Sequence, residues 1–122
     1  MSERKTIFTY GTHPDQFIRL TYPPTSIASN TTGSPVIVLF HGGFWKMQYT
    51  LDNSAMNTLP PFFIQQGFCV CEVEYRRREH DGGGFPGTNQ DCIDALHKLY
   101  ELSQLPSSGI DVNRCIILGK YM

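Results

Sequence analysis

The chain has 122 residues, 40% hydrophobic and 17% charged, and its 10 Lys and Arg against 11 Asp and Glu set the formal net charge at −1. That length supports one domain whose core needs no disulfide or metal staple, and the composition is that of a soluble globular protein rather than a disordered one. Arg76-Arg77-Arg78 is the only basic cluster and is followed at once by Glu79, so the expectation is no nucleic-acid partner and no membrane surface. The apolar run Val36 to Phe40 is far too short to span a bilayer. Met1-Ser2-Glu3-Arg4-Lys5-Thr6 lacks the apolar core of a secretory signal, which makes a cytoplasmic location the default expectation.

In chain order, Ile18, Leu20 and Tyr22 alternate with Arg19 and Thr21 as in a strand, and Pro23-Pro24 ends it because proline cannot continue a ladder. Residues 25–33 are rich in Ser, Thr and Asn and read as a loop. Val36-Ile37-Val38-Leu39-Phe40 is continuously apolar and mostly β-branched, the pattern of a strand buried on both faces of a parallel sheet. A helix is expected from near Asn53 or Ser54, interrupted or restarted at Pro60-Pro61 and stopped by Gly67.

Cys69 to Tyr75 reads as a second core strand, although Glu72 and Glu74 share one face and are odd for a strand covered on both sides. Asp81-Gly82-Gly83-Gly84 is expected as a mobile loop. Thr88-x-x-Asp91 has the form of a capping box in front of Cys92, Ala95, Leu96, Leu99 and Leu102, which recur at helical spacing. Residues 106–113 read as a turn region, and Cys115 to Gly119 as a third strand that Cys115 begins. Strands alternating with helices imply right-handed βαβ crossovers and an α/β fold with a mostly parallel sheet.

The four cysteines, Cys69, Cys71, Cys92 and Cys115, read as reduced thiols, three of them inside apolar stretches, and Cys115 is expected to be buried. Cys69-x-Cys71 is too close for the usual redox or metal spacing, and no metal site is expected. His13, His80 and His97 fall in a terminal segment, a loop and a helix, and spacing pairs none of them with a Ser or Cys.

The chemistry resides in the strand that runs straight into His41-Gly42-Gly43-Phe44-Trp45. Two glycines let the backbone turn sharply and leave peptide N–H groups pointing at one spot, where they can stabilise an oxyanion. Here the sequence resembles the α/β-hydrolase family, specifically the HGG-type esterase and lipase group, and is closest in form to its kynurenine formamidase-like and feruloyl-esterase-like branches. The resemblance runs through Glu74-Tyr75-Arg76, Phe85-Pro86-Gly87, the helix bearing Asp91, and Ile110-Asp111-Val112-Asn113-Arg114 before the last strand.

The resemblance implies the N-terminal part of an α/β-hydrolase: one partial domain over 1–122, with an N-terminal strand and loop region over 1–34 and the oxyanion loop and βαβ core over 35–122. It implies a small-molecule ester or aryl formamide substrate and no cofactor. The backbone N–H groups of Gly43 and Phe44 would form the oxyanion hole, and His41, Gly42 and Trp45 would be motif and structural residues; the aromatic pair Phe44 and Trp45 reads equally as the lining of an acyl pocket or as simple packing. The nucleophile elbow falls where this sequence reads Gly119-Lys120-Tyr121-Met122, which puts Tyr121 at the nucleophile's position and leaves no catalytic Ser, acid or His. The chain as written is therefore expected to be inactive. The alternatives are a non-catalytic binding module or an incomplete gene model of an active esterase. Two further expectations concern the sheet: residues 36–40 lie between the other two core strands, all parallel, and the outer edge of residues 115–119 is a template for self-association or chaperone capture.

Overall fold

The computed structural model describes residues 4–24, 33–41 and 59–119. In chain order they form β1 (Arg4–Thr9), β2 (Phe17–Tyr22), β3 (Ser34–Phe40), α1 (Leu59–Gln65), β4 (Cys69–Glu74), α2 (Gly87–Ser103) and β5 (Ile110–Gly119). The helix expected near Asn53 or Ser54 falls outside the described residues up to Leu59.

The sheet runs β1-β2-β4-β3-β5. As the apolar patterns predict, β3 lies between two parallel neighbours, with Val36 opposite Cys69 on β4 and Cys115 on β5. The sheet is nevertheless mixed rather than mostly parallel, because β1 and β2 are antiparallel to each other and β2 is antiparallel to β4. For the β1–β2 pair the cause is chain length. A parallel crossover takes roughly a dozen residues or more, and the short connection from Thr9 to Phe17 cannot supply them.

Alternation along β3 builds both halves of the core. Val36, Val38 and Phe40 pack with Cys69, Cys71 and Val73 beneath Ala95 and Leu99 of α2, while Ile37 and Leu39 pack with Val70 and Ile64 of α1 on the other face. Pro60 and Pro61 sit in the first turn of α1, where a missing N–H costs nothing. Gly67, at φ 91°, provides the left-handed stop.

Three local expectations are corrected. The capping box does not form: α2 starts at Gly87 behind Pro86 with no side-chain cap. Thr88 Oγ1 instead donates to the Arg76 carbonyl at 2.5 Å and accepts the Gly84 N–H at 2.8 Å, while Asp91 turns to Arg76. Both residues bind the segment leaving β4 more strongly than they could bind the helix end. The glycine loop expected to be mobile is closely packed, since a Cβ on Gly83 would lie 1.8 Å from the Arg77 carbonyl oxygen.

The turn expected over 106–113 ends early, because β5 already begins at Ile110. Its ladder to β3 slips between Pro35 and Val36. Asp111 explains the turn-like signal, because its carboxylate accepts the Asn113 N–H at 3.0 Å and Arg114 Nε at 2.9 Å inside a strand irregularity.

The unexpected Glu72 is satisfied across the sheet, where Arg19 of β2 grips both its oxygens at 3.1 Å. Asp91, fully buried, is held still more completely: Arg76 Nε, Nη2 and backbone N–H and Gln16 Nε2 all reach it at 2.9 Å. Burial disfavours its charge, but the Arg76 and Gln16 hydrogen bonds prevail and hold the carboxyl below its usual range. A depressed folded pKa gives stability that is present above the unfolded value of about 3.9 and is lost as pH falls through the folded value. Asp91→Asn is accordingly expected to cost on the order of 3 kcal/mol at pH 7 in urea denaturation, and to remove part of the wild-type loss of stability in acid.

Candidate functional site

Phe40 ends β3 at the carboxyl side of the parallel strands, the side on which open α/β sheets place ligands. The next residue, His41, is buried at 2% exposure. Tyr75 and Glu74 hold it. The Tyr75 hydroxyl donates to its carbonyl at 2.5 Å, the Tyr75 ring stacks on its imidazole at 4.5 Å and 12°, and Nε2 meets Glu74 Oε1 at 2.6 Å. The carboxylate oxygen Oε1 also accepts Arg77 Nη1, whose second acceptor is the Tyr75 carbonyl at 2.7 Å. An oxygen already accepting from a guanidinium requires His41 Nε2 to be the donor.

Strand alternation explains the placement of Glu74. It follows Glu72 on one face of β4, at the end of the strand where it reaches past the apolar layer to His41. The segment 10–16 closes over it: Tyr10 donates its hydroxyl to the Glu74 carbonyl at 2.7 Å, and Asp15 takes Arg77 Nη2 at 3.1 Å. His80 completes the group, with Nε2 at 3.2 Å from Asp15 Oδ2 and Nδ1 accepting the Arg77 N–H at 2.9 Å. Burial and the nearby Arg77 guanidinium depress the His80 pKa, in keeping with a neutral ring that accepts through Nδ1. Burial pushes the Tyr10 and Tyr75 phenols up, so both stay hydrogen-bond donors.

Of the motif residues named from sequence, His41 lies in this cluster, whereas Gly42, Gly43, Phe44 and Trp45 lie outside the described residues, as does Tyr121. His13 and His80 meet ring to ring at 4.8 Å, and His97 is exposed on α2. Cys115 is neither at the start of its strand nor buried: it lies within β5 and is exposed, because among the described residues β5 has a strand neighbour on one side only. Burial raises the thiol pKa of Cys69 and of Cys92 to about 12, which makes them poor nucleophiles. Among the described residues no group of three or more His, Cys, Asp or Glu could hold a metal ion. Asp15, Glu74, Tyr75 and Arg77 were not singled out from sequence as site residues. Glu74 and Tyr75 showed in the sequence as part of the Glu74-Tyr75-Arg76 segment of the resemblance, and Glu74 also as one of a pair of glutamates in an otherwise apolar strand.

A mixed sheet whose central parallel strand delivers a clamped histidine into a double glycine defines an α/β fold of the hydrolase type. Residues 18–121 match the BD-FAE family, the α/β-hydrolases of the bifunctional feruloyl/acetyl esterase kind, and the chain belongs to that family. Among solved structures it is similar to esterase B from Lactobacillus Rhamnosis (HN001), with a TM-score of 0.72 and 23% identity over 97% of this chain and 35% of that one. It is also similar to a bifunctional GH43-CE protein of Bacteroides eggerthii, with a TM-score of 0.72 and 17% identity over 92% of this chain and 15% of that one. A third likeness is to MGS-M1, an alpha/beta hydrolase from a Medee basin deep-sea metagenome library, with a TM-score of 0.66 and 18% identity over 94% of this chain and 45% of that one. The chain thus spans less than half the length of each. No curated protein matches it.

The clamp around His41 predicts an order of costs. Tyr75→Phe removes one hydrogen bond and keeps the stacked ring, so urea denaturation should register a loss of about 1 kcal/mol. Glu74→Ala strips a buried guanidinium of a carboxylate and should cost about 3 kcal/mol or more. The reverse order would mean that the Tyr75 hydroxyl, not the carboxylate, holds His41.

Proposed function

We propose that this chain forms the oxyanion-loop part of a serine esterase site for carboxylic esters, with aryl formamides as the second class of acyl substrate. The observation that carries this reading is the fixed exit of the chain from β3: His41 is held by its carbonyl, its ring face and its ring nitrogen, and Gly42-Gly43-Phe44 follows directly. The backbone N–H groups of Gly43 and Phe44 hold the developing oxyanion, Gly42 permits the turn, His41 braces it, and Phe44 with Trp45 lines the acyl side. In such a reaction a serine attacks the carbonyl carbon, a histidine takes its proton and returns it to the leaving group, and an acid orients that histidine.

None of those three roles falls to a described residue. His41 and His80 both have other partners. The 122-residue polypeptide by itself is therefore inactive in this reading, the loss of a nucleophile lowering kcat on the order of a million-fold. Its turnover of p-nitrophenyl acetate and of N-formylkynurenine should match that of a Gly43→Pro control. Turnover well above the control, with a fluorophosphonate probe labelling one residue, would identify a nucleophile within these residues and overturn the reading.

The edge of β5 is the second part of the proposal. Ile116 and Ile117, which point to opposite faces, are 51% and 53% exposed, the pattern of a strand meant to be covered on both sides and paired along its free edge. Size-exclusion chromatography of the 122-residue chain should show self-association, and an apolar dye should bind it. A compact monomer with a cooperative melt and no dye binding would sink this part alone.

A further inference from the structure

The segment that joins β1 to β2 precedes the family-matched residues 18–121, yet it lies against the cluster that holds His41. We propose that Asp15, in that segment, is a positioning residue for His41, acting through Arg77 and Glu74. Its consequence for catalysis rests on the oxyanion reading above; its geometry does not.

The linkage is continuous. Asp15 Oδ2 takes Arg77 Nη2 at 3.1 Å, Arg77 Nη1 donates to Glu74 Oε1, and the same oxygen receives His41 Nε2 at 2.6 Å. Its inner members are shielded from water, with side-chain exposures of 2% for Arg77, 4% for Glu74 and 2% for His41. Such contacts are screened little by salt. Asp15 itself does not drift, because its N–H donates to His13 Nδ1 at 3.0 Å and its neighbour Gln16 is tied to buried Asp91. Tyr10, at the other end of the segment, holds the Glu74 backbone.

A guanidinium is a rigid fork. With Asp15 holding one prong, the other is aimed at a single carboxylate oxygen of Glu74 and at the Tyr75 carbonyl. When Asp15 loses its charge, that orientation loses an anchor at the far end, and the Arg77 charge draws more fully on Glu74. Glu74 Oε1 then shifts with the guanidinium and its bond to His41 lengthens. Asp15 reaches His41 through Arg77 and Glu74, so its effect is one of placement.

The test uses the 122-residue chain labelled with 15N-histidine, the His41 signals being identified by their absence in His41→Asn. The wild type should show a slowly exchanging, downfield His41 Nε2 proton. Trp45, the only tryptophan and four residues beyond His41, gives a second readout by its emission. In Asp15→Asn the His41 proton should move upfield or exchange faster and the Trp45 emission should shift, with Asp15→Glu restoring both in part. Asp111→Asn, which breaks an Asp–Arg pair near the start of β5, should move neither. Arg77→Lys, a point charge that cannot bridge two carboxylates, should reproduce the Asp15→Asn shift, and the double variant should add nothing further. A folded Asp15→Asn with wild-type His41 and Trp45 signals overturns the proposal, as does a wild-type chain without the protected proton or an equal response in Asp111→Asn. A shifted His41 signal in a chain that turns over p-nitrophenyl acetate well above the Gly43→Pro control, with one residue labelled by the fluorophosphonate probe, would leave this positioning role standing and overturn the reading above instead.

Discussion

Two consecutive arginines leaving β4 organise the carboxyl end of the sheet. Arg76 turns to Asp91 of α2, and Arg77 turns to Glu74 and Asp15, so the strand's exit is fixed from both sides at once. A buried ion pair adds little net stability over well-packed apolar side chains, because desolvation consumes most of the attraction, but an unpaired partner is very costly. Such pairs therefore act as constraints: each has one arrangement in which all its groups are satisfied. Here they set where α2 begins and how His41 is held. The chain around them has no room to spare, since a Cβ on Gly87 would come within 1.7 Å of the Gly82 carbonyl oxygen.

The mixed topology is what makes this arrangement reachable. Because β2 runs antiparallel to β4, Phe17 at the start of β2 sits opposite Glu74 at the end of β4. The residues just before Phe17 therefore arrive at the end of β4 without any long excursion. Asp15 reaches Arg77, Gln16 reaches Asp91 and Tyr10 reaches the Glu74 carbonyl for this reason. Had β2 been parallel to β4, the same segment would have lain at the opposite end of the sheet. The N-terminal hairpin contributes few residues to the core, but its connection closes over the cluster that holds His41 at the end of β3.

Legibility in the sequence followed the range of the forces involved. The core strands β3 and β4, the place of β3 between parallel neighbours and the apolar face of α2 could all be read, because periodicity and burial are local and repeated along the chain. β1 could not: Arg4 to Thr9 alternates only weakly, and its place depends on pairing with β2 rather than on its own pattern. Thr88 and Asp91 have the spacing of a capping box, and tertiary partners outbid the helix for both side chains. Asp111 and Asn113 are turn residues that here make an irregularity inside a strand. In the site, His41 could be named from its motif. Glu74 showed as an anomaly in its strand and as part of the resemblance, but not as the partner of His41, because its partners are separated from it by 33 residues in one case and brought round by the chain's exit in the other. The oxyanion donors Gly43 and Phe44 lie outside the described residues.

Strands β3 and β5 show why sequence pattern and burial are separate quantities. In register, Ile37 faces Ile116 and Val38 faces Ile117, so the two strands present similar apolar side chains side by side. Ile37 and Val38 are 1% and 0% exposed, whereas Ile116 and Ile117 are about half exposed. The difference comes from neighbours: β3 has a strand on each side and helices above and below, while among the described residues β5 pairs with β3 alone. An apolar strand pattern states what surroundings a strand is suited to, and burial states what surroundings it has. For β3 the two agree, and His41 at its end is buried with it. For β5 they disagree, and that disagreement, rather than any single residue, marks the side of the sheet on which additional structure would be most stabilising.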